Sequence, residues 1–141
     1  MSWTYQGQLV TELPDDCVGF VYIIVNTIDG RKYIGKKLSK FSKTTYKTIT
    51  LKNGTKKKKK IKSKIDSDWQ EYYGSSPNLT KDIEALGKEN FTREILHYCT
   101  SKAQASYIEA KEQFERKVLE TDEYYNGHIQ VRVHGSHILK S

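Results

Sequence analysis

The residues best placed to do chemistry lie in one stretch near the start of the chain. Gly19–Asn26 (GFVYIIVN) is β-branched and aromatic and is bounded by turn residues, so it reads as a strand. Asp29-Gly30 is a hairpin turn signal, and residues 31–37 (RKYIGKK) are the returning strand. With a two-residue turn, Tyr33 lies opposite Asn26 and Tyr22 opposite Lys37. Side chains alternate with period two, which puts Phe20, Tyr22, Ile24, Asn26, Tyr33, Gly35 and Lys37 on one face. Two phenols, an amide and an ammonium then stand together on a rigid platform, open where Gly35 has no side chain. The same tyrosines also suit plain half-buried packing. The other face, with Val21, Ile23, Val25 and Ile34, is the expected core side.

Charge points to the substrate of such a cluster. The chain has 141 residues and a formal net charge of +7. Residues 1–30 hold four acids and no base, and residues 66–141 hold nine bases and thirteen acids. Residues 31–65 hold Arg31, fourteen lysines and no acid. One stretch therefore carries the whole positive excess, and it begins inside the hairpin. Lysine runs are often solvated loops, but this placement favours a phosphate substrate. Each neutralised phosphate releases counterions, with a log–log salt slope near about −0.9 per contact on B-DNA. Such contacts give affinity with little sequence discrimination, because base contacts specify and phosphate contacts position.

The elements that must hold the cluster follow from periodicity and caps. Residues 3–10 read as a short strand or arm. Residues 38–65 are a lysine-rich insertion, either an exposed hairpin about Asn53-Gly54 or a mobile loop. Ser67 or Asp68 caps a short helix from Trp69, and a second helix runs from Asn78 to Leu86. Phe91–Cys99 is a strand. Ser101 and Gln104 form a capping box for a helix to about Leu119, with Ala103, Tyr107, Ala110, Phe114 and Val118 on one face. Residues 129–133 suggest a last short strand. The reading is a mixed α/β domain over 1–141, with residues 1–17 as an N-terminal arm.

Several classes are excluded. Mean hydropathy is −0.73, and no apolar run approaches the roughly 18–20 residues of a membrane span. The N-terminus has no basic or apolar signal region. Cys17 and Cys99 make no disulfide framework or metal-ligand spacing and read as small core residues of a reducing compartment. His134 and His137 have a metal-compatible spacing without partner ligands.

Phe20-Val21-Tyr22, ten residues, then Tyr33-Ile34-Gly35 resembles the GIY-YIG nuclease signature. The stretch Ser67-Asp68-Trp69 through Gly74-Ser75-Ser76, with Lys36-Lys37 after the second motif, resembles a phage-type, homing-endonuclease-like subgroup. The resemblance covers roughly residues 18–126. It implies a small α/β fold, a three-stranded antiparallel sheet flanked by helices, here with the basic insertion. It implies catalytic Tyr22 and Tyr33, a metal-binding Glu109 and a late Asn126. By helix pattern alone, Glu109 sits with Glu112, Gln113 and Arg116 on a solvated side, and Asn126 is a turn residue. The first motif reads FVY, and no arginine lies between Lys32 and Arg93 where the family has one. A lysine stands in, with Lys37 favoured over Lys43 and Lys64. Lysine is a point charge and lacks the planar fork of arginine.

The resemblance implies a metal-dependent endonuclease that hydrolyses DNA phosphodiesters. Mg²⁺ or Mn²⁺ at Glu109 acts as Lewis acid, Tyr22 activates water beside Lys37, Tyr33 holds the phosphate, and Asn126 orients Glu109 or the substrate. Lys36, Lys43, Lys56, Lys57, Lys58, Lys59, Lys60, Lys62 and Lys64 are the expected nucleic-acid contacts on double-stranded DNA. Specificity comes from residues 38–65, from a homodimer, or is loose. The alternatives are a DNA-binding protein on the same fold with weak or lost cleavage, and a basic module for an acidic protein partner. The subgroup implies a cytoplasmic protein of an infected bacterial host.

Overall fold

The computed structural model describes residues 2–135, with the side chains of residues 41–44 and 62–65 outside that description. The side chains of Lys43, Lys62 and Lys64, and His137, therefore lie outside the described residues. The strands are β1 (Trp3–Tyr5), β2 (Gln8–Leu9), β3 (Gly19–Asn26), β4 (Lys32–Leu38), β5 (Lys40–Thr50), β6 (Lys56–Asp66) and β7 (Phe91–Cys99). The helices are α1 (Pro77–Leu86) and α2 (Lys102–Glu115). One sheet runs β2-β1-β7-β3-β4, and β5 and β6 pair separately.

The expected three antiparallel strands are β7, β3 and β4. The sheet has five strands because the N-terminal arm joins it, β1 lying parallel to β7 with Trp3 across from Arg93. The force that draws the arm in is the Trp3 indole, 2% exposed. It packs edge-on to Phe20 and Tyr22 with centroids 5.1 and 5.4 Å apart, and its Nε1 donates to the Trp69 carbonyl at 2.7 Å.

The motif hairpin differs in register from the two-residue-turn expectation. Tyr22 lies across from Gly35, Phe20 from Lys37 and Ile24 from Tyr33. The turn is longer because Asn26 closes it: its carbonyl accepts from Gly30 N–H at 2.8 Å and its side-chain oxygen from Ile28 N–H at 2.9 Å. Gly30 takes φ +81° to complete the bend. The slip is two residues, so every side chain keeps its predicted face.

Both faces of β3 are buried, which corrects the expectation that the Tyr22 and Asn26 side of the hairpin is open. Phe20, Tyr22, Ile24 and Asn26 are 0% exposed. Trp69, Leu79 and Ile83 cover them with Trp3. On the opposite side Val21, Ile23 and Ile34 pack against Ala105 and Val118. Asn26 belongs to the core, donating to the Tyr125 hydroxyl at 3.1 Å. Cys17 and Cys99 are free and buried, as expected.

Other elements depart at their ends. The helix expected at Trp69 is one turn, Trp69–Glu71, with no side-chain cap at Asp68. The buried Arg93 guanidinium takes the carbonyls of Gln70 and Tyr72 at 2.9 and 2.8 Å, holding that segment off an α-helical path. α1 starts at Pro77, one residue earlier than expected, capped by Ser76. At α2 the Ser101 cap forms, Gln104 N–H donating to Ser101 Oγ at 3.0 Å, while the Gln104 side chain reaches one residue further back than a capping box and accepts from Thr100 N–H at 2.7 Å. α2 ends at Glu115, and its inward face differs from the apolar stripe: Tyr107 and Phe114 are exposed while Ala105 and Gln113 are buried. Residues 129–133 form no strand. Residues 38–65 follow the hairpin alternative: β5 and β6 pair from Lys40↔Asp66 to Thr50↔Lys56, with Gly54 at φ +84° in the turn. Among the described residues no helix is long and apolar enough to cross a membrane.

Gly35 is required by its neighbour. A Cβ there would overlap the Tyr22 hydroxyl and come within 2.7 Å of Tyr22 Cζ and 2.9 Å of Tyr33 Cε2. Gly35→Ala is expected to cost about 1–3 kcal/mol, the range for overpacking a tight core, measured by urea unfolding. Part of that loss should return in Gly35→Ala with Tyr22→Phe, which removes the overlapped oxygen; strict additivity would show that the phenol is not the obstacle.

Candidate active site

β4 is the last strand of its sheet, so one row of its backbone groups points away from β3 and needs partners. Lys32 N–H donates to the Glu123 carbonyl, and Lys32 C=O accepts from Tyr125 N–H at 2.7 Å. Ile34 N–H donates to Asn126 Oδ1 at 3.0 Å. Ile34 C=O accepts from Asn126 Nδ2 at 2.8 Å and from Gln113 Nε2 at 3.2 Å. The next outward amide, of Lys36, faces the Glu109 carboxylate and draws its pKa down. The polar face of α2 turns inward because this edge offers it hydrogen bonds.

The result is a cleft of about 390 Å³ beside the second motif tyrosine. Tyr33, Lys36, Glu109, Gln113, Asn126 and His128 line it, together with Ser75 and Ser76 at the start of α1. Tyr33 and Ser75 hydroxyls are 3.2 Å apart. Lys36 Nζ donates to Ser106 Oγ at 2.6 Å. Glu109 is half-buried, and burial raises its carboxyl above the usual range, opposed by Lys36 and His128 nearby. Gln113 is 5% exposed, and its amide oxygen has no hydrogen bond among the described residues. A hard carboxylate beside an unpartnered amide oxygen is a donor set compatible with a small divalent ion that keeps most of its waters. Among the described residues no group of three or more His, Cys, Asp or Glu side chains gathers as a metal site.

Tyr22 lies outside the cleft wall. It is fully buried, its hydroxyl makes no hydrogen bond among the described residues, and burial pushes its pKa well above the ordinary phenol value, with Tyr72, Tyr33 and Glu109 adding to the shift. At neutral pH it is a phenol, not a phenolate. Lys37 does not stand across from it. Lys37 Nζ lies 2.7 Å from Asp68 Oδ1 and 4.2 Å from the centre of the Tyr72 ring. Asp68 is held below the usual carboxylate range by this contact. Lys36 is thus the cleft's ammonium, and Lys37 lies over Tyr72, whose ring is 5.9 Å from that of Tyr22 and edge-on to it.

Of the expected site residues, Tyr33, Lys36, Glu109 and Asn126 come together, with Tyr22 behind them and Lys37 turned to Asp68 and Tyr72. Lys56, Lys57, Lys58, Lys59 and Lys60 are exposed on β6. Gln113 and His128 are additions. Gln113 is visible in sequence only as the residue one turn after Glu109, and His128 as one of four histidines with nothing to single it out. Trp69 is a core residue, 7% exposed.

The model of the family described as putative endonuclease segE, GIY-YIG domain, matches residues 3–129. No curated protein and no solved structure matches the chain.

Asn126→Ala is expected to cost about 1–3 kcal/mol, since it strands the Ile34 N–H in a buried place. Amide exchange at Ile34 should accelerate, whereas a plain turn residue would leave that amide unchanged. Glu109 carries a pH signature. Its folded pKa is raised, so its stabilising contribution is complete below the unfolded value and is lost as pH rises through the folded one. Glu109→Gln should therefore resist urea better than wild type at neutral pH. The gap should close below the ordinary carboxyl range; a gap independent of pH would place the effect elsewhere.

Proposed function

Because the chain belongs to the GIY-YIG family, we propose that it is an endonuclease hydrolysing phosphodiester bonds of double-stranded DNA with a divalent ion, as one domain over 1–141. The observation that carries this reading is the convergence of Tyr33, Lys36, Glu109 and Asn126 on one cleft, from β4, α2 and the segment after it. Glu109 would hold Mg²⁺ or Mn²⁺, with the Gln113 amide oxygen beside it. The ion would supply Lewis acidity at a phosphate oxygen. Lys36 neutralises a non-bridging oxygen from within the cleft. Tyr33 orients the attacking water or phosphate through its hydroxyl, which Ser75 holds. Tyr22, a neutral phenol, packs against the Tyr33 ring, whose centroid lies 6.2 Å from its own, and fixes its position. Asn126 acts by pinning β4. Lys37 keeps Tyr72 packed against Tyr22.

A second reading keeps DNA binding and drops cleavage. It is favoured by the absence of arginine from the cleft lining: Arg31 lies over the Tyr125 ring at 4.0 Å, and Arg93 is buried between Trp3 and Tyr73.

Supercoiled plasmid incubated with wild-type protein and Mg²⁺ or Mn²⁺ should be nicked or linearised, and Glu109→Ala should abolish this while retaining binding. Lys36→Ala should slow cleavage by about 10²-fold, the scale for one preorganised charge-stabilising group, and by more than Lys37→Ala. Tyr22→Phe should slow cleavage with no loss of thermal stability. Mg²⁺ should raise the melting temperature of wild type but not of Glu109→Gln. Binding without cleavage by wild type with either metal would select the second reading.

A further inference from the structure

Between Thr45 and Ile61 the β5–β6 ribbon has no acid to relieve its lysines. Its described side chains from Thr45 to Ile61 are exposed on both faces, Ile49 alone being half-buried. An isolated two-stranded ribbon is marginal in water, and this one sets Lys47 directly across from Lys59. Lys56 to Lys60 run without interruption, and no acid lies between Lys40 and Ile65. Like charges across a strand pair oppose pairing, so a polyanion is the partner that would stabilise this shape.

The register sorts the side chains into two unlike faces. Tyr46, Thr48, Thr50, Lys56, Lys58 and Lys60 share the even-numbered face, and each ends in a hydrogen-bond donor. Tyr46 is 66% exposed there. Between Thr45 and Ile61 the odd-numbered face also has three lysines, Lys47, Lys57 and Lys59, but with Ile49 and Ile61 and the single hydroxyl of Thr45. Over that span the charge is equal and the hydrogen-bonding capacity is not. The strands are 11 residues each, which at about 3.4 Å per residue is roughly 37 Å. One turn of B-DNA is about 34–36 Å, and its major groove, about 12 Å wide, admits a two-stranded ribbon.

We propose that this ribbon docks in the major groove of double-stranded DNA with its even-numbered face toward the base edges. The proposal rests on the DNA substrate reading above and assigns that substrate's docking element. Thr48, Thr50 and Tyr46 meet base edges, Lys56, Lys58 and Lys60 meet bases or the groove's phosphates, and the odd-numbered lysines face away.

The test uses the full chain carrying Glu109→Ala, so that binding is read without cleavage. Two triple variants remove equal charge: Lys56→Ala with Lys58→Ala and Lys60→Ala, and Lys47→Ala with Lys57→Ala and Lys59→Ala. Affinity for a duplex three helical turns long is measured by fluorescence anisotropy across a salt series. The even-face triple should flatten the log–log salt slope by up to about 2.7, three contacts' worth, and the odd-face triple by clearly less. Thr48→Ala with Thr50→Ala, which removes no charge, should also weaken binding. Equal losses from the two triples, or a larger loss from the odd face, overturn the proposal. So does tighter binding to a single strand of the same length, or equal binding to polyglutamate. The plasmid assay on wild type separates the two readings: no cleavage with unequal triples removes the nuclease and keeps the ribbon, and cleavage with equal triples does the reverse.

Discussion

The unpaired edge of β4 is the constraint on which the candidate site depends. An edge strand that is to be covered must have its outward N–H and C=O groups satisfied, because each one left bare away from water is costly. Two successive outward residues, Lys32 and Ile34, are satisfied by the 123–126 segment and by Asn126 and Gln113. The hydrogen bonds that close the sheet therefore hold α2 and the 126 segment against β4, and the same cleft is lined by Glu109, Gln113 and Lys36. Structure and chemistry are not separable here. Asn126 looks like a functional residue by position and acts on the backbone of the motif strand.

A second constraint sits on the other side of the same strand. The Tyr22 phenol fills the space that a Cβ on Gly35 would need. It stands in a run of rings from Trp3 through Phe20 and Tyr22 to Tyr72 and Tyr33. Arg93, between Trp3 and Tyr73 with two carbonyls on its guanidinium, ties that run to the 70–72 segment. The two motif tyrosines thus have unlike surroundings. One is sealed and raised far from ionisation, and the other opens on the cleft. Lys36 and Lys37 are divided in the same way, because neighbours on a strand point to opposite faces.

Much of this was legible in sequence, and the failures have definite causes. The strands at 19–26 and 91–99, the hairpin, and the cap at Ser101 follow from β-branched runs, turn residues and short polar side chains. The hairpin register did not, because Asn26 draws the turn out through hydrogen bonds that a two-residue template lacks. The apolar stripe of α2 misled, since Tyr107 and Phe114 point outward while Gln113 points in. Periodicity assumes an apolar partner, and the partner here is a row of backbone polar groups. The N-terminal arm entered the sheet because one indole had a buried place to go.

By itself, the sequence determined which residues share a strand face, where the last helix is capped, and that all the excess charge lies in one stretch. These are local matters, set by alternation, turn chemistry and composition. Only the tertiary structure decided that both faces of β3 are covered, that Lys36 rather than Lys37 stands beside Glu109, and that Gln113 and His128 join them. Those depend on what packs across a strand and along its edge, between residues about ninety positions apart. No local pattern carries that information, because hydrogen-bond demand at a sheet edge exists only once the sheet has formed.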